Sequence, residues 1–193
     1  MKFNNTYFIL RHGEAMSNVK HLVSSWPETF ENPLTPHGVE MIQESARKMH
    51  QILAGRQLDM IFASDLLRTR QTAQIMADAL KVPLKFDTRL RELSFGDMNG
   101  GPITDLDVRF NNESERIKNQ RYNMESYEDV LARMSDFLLD IDKQYQGKHI
   151  LIVSHEGPLW ILEGFMKEWT LEESFARIPR DERIHKGQIK ELN

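Results

Sequence analysis

The 193 residues include no cysteine, so disulfides, thiolate zinc sites and thiol catalysis are excluded. Long apolar runs are missing as well. No stretch approaches the roughly 20 residues needed to cross a bilayer. The first residues carry one lysine and a short apolar run before Arg11, which does not read as a signal peptide. A cytoplasmic location with no membrane partner is therefore expected, and the lack of cysteine is compatible with it. Positive charge is in deficit: 25 Lys and Arg against 29 Asp and Glu leave a net charge of -4, so no nucleic-acid partner is expected. That sum still permits a locally positive pocket. Several signatures are absent too: the P-loop, the glycine-rich dinucleotide fingerprint, Gly-x-Ser-x-Gly, a zinc-spaced histidine pair and an acidic calcium loop. No metal and no cofactor are expected.

What is present reads as an alternation of strands and helices. Tyr7-Phe8-Ile9-Leu10 is a short buried strand. After a polar loop over 11–33, Thr35 is placed to cap a helix with Pro36 in its first position. Val39, Ile42, Ala46, Met49 and Leu53 give that helix one apolar stripe, and Gly55 ends it. Leu58 to Ala63 reads as a second strand. Ser64 or Asp65 is expected to cap a helix reaching Leu80, and Val82 to Phe86 forms a third strand. Ser126 and Asp129 resemble a capping box, opening a helix with Val130, Met134, Phe137, Ile141 and Tyr145 on its buried side. His149 to Ser154 is the continuous run of a strand buried on both faces. Gly157 and Pro158 start another helix, and Gln188 to Leu192 is a last strand. The fold class expected is α/β, a three-layer α/β/α sandwich around a mostly parallel sheet. Residues 1–193 are expected to form a single domain, with 94–125, broken by glycines and Pro102, as a cap or lid insertion. Its charges show no basic excess: Arg109, Arg116, Lys118 and Arg121 against Asp97, Asp105, Asp107, Glu113, Glu115 and Glu125.

Ligands bind beyond the carboxyl ends of strands in such sheets. Arg11 and His12 follow the first strand, Arg68 lies just after the second, Glu92 shortly after the third, and His155 and Glu156 follow the long apolar strand. A cation beside a nucleophilic imidazole suits a phosphate that is held and then attacked. The other histidines (His21, His37, His50, His149 and His185) read as surface or core, Arg70 as a solvated neighbour of Arg68, and Ser64 as a cap. Trp160 and the methionines read as packing. Glu14 is read equally well as a site residue or as a structural hydrogen bond at the turn.

Together these residues resemble the histidine phosphatase, or phosphoglycerate mutase-like, superfamily. The matching pieces are Leu10-Arg11-His12-Gly13-Glu14 with Asn18, Leu34-Thr35 with Gly38, Ser64-Asp65-Leu66 with Arg68, Gln71, Thr72 and Ala73, Arg91-Glu92-Leu93 with Gly96, and Val153-Ser154-His155. The resemblance implies that His12 is the nucleophile that becomes phosphohistidine. It implies that Arg11, Arg68, His155 and Asn18 surround the phosphate and that Glu92 gives and takes the proton. His155 is expected to be protonated against the dianion. Three positions depart from the family pattern. Glu156 follows the second histidine where many relatives have glycine, which suggests a contact to a substrate hydroxyl or cation. Asp97-Met98-Asn99-Gly100 replaces a common Trp-Glu-Gly, and Ala15 replaces the serine of many mutases. Mutases of the family usually carry a longer, more basic insertion. The resemblance therefore implies a metal-independent phosphatase acting on a small phosphorylated substrate. The alternatives are mutase-type phosphoryl transfer and a non-catalytic phosphate-binding module. Sugar phosphates, nucleotides, phosphoglycerates, phosphorylated cofactor precursors and phosphoproteins all stay open as substrates, and nothing in the sequence speaks to oligomeric state.

Overall fold

The structure is a computed structural model that describes residues 2–110, 112–118 and 120–193; the side chain of Asp107, one of the charges counted above, lies outside the described set. Five strands form one sheet: β1 (Thr6–Arg11), β2 (Met60–Ala63), β3 (Leu84–Phe86), β4 (His149–Ser154) and β5 (Ile189–Glu191), in the order β3-β2-β4-β1-β5. The first four are mutually parallel where they pair, and β5 closes the β1 edge antiparallel. Alternate residues of the two central strands face opposite sides. Phe8, Leu10, Leu151 and Val153 enter one core with Ile42, Met49 and Met76, while Tyr7, Ile9, Ile150 and Ile152 enter the other with Met134, Phe137 and Trp160. This two-sided burial is why both strands read as unbroken apolar runs.

Helices α2 (Pro36–Leu53) and α3 (Leu67–Leu80) cover the first face. α5 (Tyr127–Gln144) and α6 (Glu156–Met166) cover the second. The caps of α2 and α5 are as expected. Thr35 Oγ1 accepts the Gly38 N–H, and Ser126 and Asp129 complete a reciprocal box, each cap contributing about 1 kcal/mol. α3 differs. It starts at Leu67 with no side-chain cap, because Ser64 and Asp65 are engaged elsewhere. α2 ends at Leu53, with Ala54 rather than Gly55 alone taking up the left-handed turn. Two short helices escaped the sequence reading: α1 (Met16–Val19), inside the presumed loop, and α7 (Leu171–Arg177). Among its described residues, the segment 94–125 holds α4 (Thr104–Arg109) and three single turns of 3-10 helix. Among the described residues no helix is long and apolar enough to cross a membrane.

Two glycines are required where the chain leaves β1. A Cβ on Gly38 would lie 2.0 Å from the carbonyl oxygen of Glu14, and one on Gly13 would lie 2.6 Å from that of Gly38. Only bare backbone permits the start of α2 to press against the turn that carries His12.

Candidate active site

Strand register brings the two histidines together. Arg11 pairs with Ser154 across β1 and β4, so the next residues, His12 and His155, emerge side by side with ring centroids 5.2 Å apart. The hydrogen bonds settle which nitrogen carries each proton. His12 Nδ1 lies 2.7 Å from the Gly13 carbonyl, which can only accept, so Nδ1 is protonated and Nε2 keeps a free lone pair. Arg68, in the first turn of α3, donates Nε–H to that Nε2 at 3.2 Å. A second guanidinium nitrogen donates to His155 Nδ1 at 3.0 Å, so His155 carries its proton on Nε2 and gives it to Ser64 Oγ at 2.9 Å. Arg68 is fixed in turn by the hydroxyl and carbonyl of Ser24.

Burial dominates the electrostatics. His12 and His155 are buried, and desolvation, followed by the charge of Arg68, pushes both well below their ordinary pKa. The His12 imidazole is therefore neutral and nucleophilic at pH 7. The expectation of a protonated His155 rested on a facing dianion; the protein's own groups push the other way. Burial also brings Arg68 down to about 10, which leaves it charged at neutral pH.

Glu92 sits in the wall of the same cavity. Loss of hydration raises its pKa, against the pull of Arg68, with the charge of Glu156 adding to the rise. Burial outweighs the arginines here. Its Oε1 accepts the Leu93 N–H at 3.0 Å, and its backbone carbonyl is held by Trp26 Nε1 at 2.9 Å and Arg133 at 3.2 Å.

The remaining expected residues also reach this cavity. Arg11 pairs with Glu156 at 2.5 Å and donates to the Ile184 carbonyl at 3.2 Å. Asn18 lines the cavity with its Oδ1 taken by the Ala15 N–H, which leaves its NH2 group for a ligand. Glu14 stays structural, accepting from Thr35 Oγ1 at 2.8 Å. Ser64 is corrected: it is a partner of His155 rather than a helix cap. Asp65 is also no cap, because Arg91 engages both its oxygens. Arg70 is solvent-exposed, with its guanidinium over Phe86.

The cavity is about 140 Å³, small beside the roughly 300–1,000 Å³ of sites for drug-sized ligands. Sequence reasoning missed Ser24, Glu113, Arg116, Arg180 and Arg183, which also line it. Each lies in a loop or short helix without periodic signal. Only the excess of arginine around 109–121 and 177–183 hinted at them. Among the described residues, no three histidine or carboxylate side chains are grouped so as to hold a metal ion.

A family model described as histidine phosphatase superfamily (branch 1) matches residues 7–181. An adenosylcobalamin/alpha-ribazole phosphatase of Escherichia coli is 28% identical over 160 residues, 80% of this chain and 75% of the relative. A 2,3-bisphosphoglycerate-dependent phosphoglycerate mutase of Rhizobium meliloti is 25% identical over 187 residues, 90% of this chain and 86% of the relative. Among solved structures, Bacillus stearothermophilus YhfR superposes with a TM-score of 0.79 at 25% identity, covering 96% of this chain and 89% of that one.

Proposed function

Because this chain belongs to the histidine phosphatase superfamily, whose members similar to it are phosphatases and mutases, we propose that it hydrolyses small phosphomonoesters through a phosphohistidine at His12. The observation that carries the reading is the unprotonated Nε2 of a buried, neutral His12, which accepts from Arg68, with Arg11 and Glu92 lining the same cavity and His155 bound to the other side of the Arg68 guanidinium.

In the first half-reaction, His12 Nε2 attacks phosphorus in line with the ester oxygen, and the P–O bond to the leaving group breaks. Arg11, Arg68 and Asn18 meet the equatorial oxygens with N–H donors, where charge develops, and His155 holds the Arg68 guanidinium behind them. The Gly13 carbonyl stabilises the imidazolium through Nδ1–H. Glu92, whose pKa burial raises, gives its proton to the departing alkoxide. In the second half, the Glu92 carboxylate takes a proton from water. The hydroxide attacks phosphorus, the P–N bond breaks, and phosphate and neutral His12 result. No step calls on a metal, because an imidazole needs none to become nucleophilic.

Hydrolysis is favoured over the mutase reading by Glu156, whose carboxylate beside Arg11 opposes the binding of a doubly phosphorylated intermediate. The proposal includes a cytoplasmic place of work, no nucleic-acid or membrane partner, and no cofactor. Rapid quench in alkali with a labelled phosphoester is expected to leave label on His12, with turnover unchanged by EDTA. His12→Ala should lose several orders of magnitude in kcat. Near-wild-type turnover by that variant would sink the assignment, and conversion of 3-phosphoglycerate to an isomer with total phosphoester constant would establish the mutase instead.

A further inference from the structure

Asn32 lies in the loop before α2, yet it is wholly buried. The backbone fixes which way round its amide sits. The Ser17 N–H, which can only donate, meets Asn32 Oδ1 at 2.8 Å. The amide nitrogen therefore takes the other side, where it donates to two hydroxyls, Ser17 Oγ at 2.9 Å and Ser24 Oγ at 3.0 Å. Ser24 Oγ receives a second donor, Arg68, at 3.3 Å.

A hydroxyl has one proton and two lone pairs. Towards Asn32 the Ser17 hydroxyl can only accept, so its own proton points away from the amide. Among the described residues nothing accepts that proton. Ser17 is buried from bulk solvent but lines the cavity that holds His12. A sheltered donor without a protein acceptor calls for one from a ligand. Arg11, Arg68 and the unengaged amide nitrogen of Asn18 line the same cavity, so the ligand it favours is an anion with oxygens to offer.

We propose that Ser17 is a further contact to the phosphoryl oxygens and that Asn32 is its positioning residue, holding the hydroxyl as an acceptor on one side so that it donates on the other. This rests on the phosphatase reading above and adds to it a neutral donor carried by α1, away from the strand ends that supply the charged groups. Ser24 remains the anchor of Arg68. The competing view is that the Asn32 amide only ties α1 to the loop that follows it.

Asn32→Asp separates the two views, because it keeps the shape and reverses the direction. A carboxylate donates nothing, so it would take the Ser17 proton and leave only lone pairs towards the ligand. The probe is inorganic phosphate, measured as a competitive inhibitor of p-nitrophenyl phosphate hydrolysis. Ser17→Ala should raise its inhibition constant about tenfold, the effect of one hydrogen bond to a charged group. Asn32→Asp should raise it at least as much. The two effects should not add: in the Asn32→Asp background, Ser17→Ala should change the constant less than about twofold. A carboxylate acting through its charge alone would leave the full Ser17→Ala effect in both backgrounds, and that additivity would remove the positioning role. If Asn32→Asp fails to fold, Asn32→Ala takes its place: the hydroxyl is then free to turn, and its removal should again cost less than in wild type, an equal cost counting against the role. Unchanged phosphate inhibition in Ser17→Ala, with a lowered urea midpoint, would mark a purely structural serine and overturn the contact. Failure to label His12 in the wild-type protein would instead overturn the phosphatase reading beneath it.

Discussion

Glu156 occupies the first position of α6, where a helix N-terminus favours negative charge, and it spends that charge on Arg11. It therefore acts on two partners at once. It competes with phosphate oxygens for the Arg11 guanidinium, and its charge adds to the rise in the Glu92 pKa. The signs for Glu156→Gln follow directly. Arg11 is released, so inhibition by inorganic phosphate should tighten severalfold. Glu92 loses a repulsive neighbour, so its folded pKa falls and the alkaline limb of kcat/KM moves to lower pH. Steady-state kinetics across pH with phosphate as inhibitor would check both; an unmoved limb with unchanged phosphate inhibition would remove Glu156 from the site's electrostatics. The residues of the phosphate grip were legible because each follows a strand, and strands are easy to read as apolar runs. Ser64 was misread because a serine before a helix resembles a cap in sequence, whereas here the neighbouring imidazole claims its hydroxyl.

The segment that carries Glu92 has no regular structure of its own, and α5 supplies its rigidity. Arg133 reaches out of that helix to donate to the carbonyls of Arg89 and Arg91 at 2.6 Å and of Glu92 at 3.2 Å. Its other face binds Glu125, which accepts from the Ser94 N–H. Arg133 is a positioning residue: it touches no reacting atom. Arg133→Gln strips three carbonyls of charged donors. The expected cost is about 2–3 kcal/mol in urea unfolding, with kcat lower by one to two orders of magnitude and KM nearly unchanged. A loss of stability with kcat intact would show that Glu92 is placed by other groups, such as Trp26. Nothing in the sequence pattern marked Arg133, because its position on α5 is defined only by what folds against it. α7 was readable in principle, since Thr170-Leu171-Glu172-Glu173 spells the capping box that the structure contains, but the seven-residue helix it opens is too short to show a period. α3 shows the opposite failure: its length was legible and its start was not, because Ser64 and Asp65 serve His155 and Arg91 instead of the helix end.

A protein that buries two neutral histidines ties its stability to pH. His12 and His155 are both depressed well below their ordinary value of 6.5. A group with a depressed folded pKa stabilises above the unfolded value, and that contribution is lost as pH falls towards the folded value. Each histidine should therefore subtract about 1.4 kcal/mol per pH unit once the unfolded chain is protonated below 6.5. Glu92 works the other way. Its folded pKa is raised, so its contribution grows as pH falls from that raised value towards its ordinary 4.5. The net slope between about pH 6.5 and 5 is then set by two histidines opposed by one carboxyl, and stability should fall with acidification over that window. Urea midpoints across it would measure the slope, and the variants would apportion it. His155→Asn should flatten the slope by about 1.4 kcal/mol per pH unit, and Glu92→Gln should steepen it wherever Glu92 titrates. Inorganic phosphate is expected to oppose the acid loss, since a bound anion favours imidazolium and offsets the burial that keeps the rings neutral. A wild-type midpoint that is flat from pH 6.5 to 5, unaltered in His155→Asn, would mean that these rings are not held neutral, and the nucleophilic state assigned to His12 would lose its physical basis.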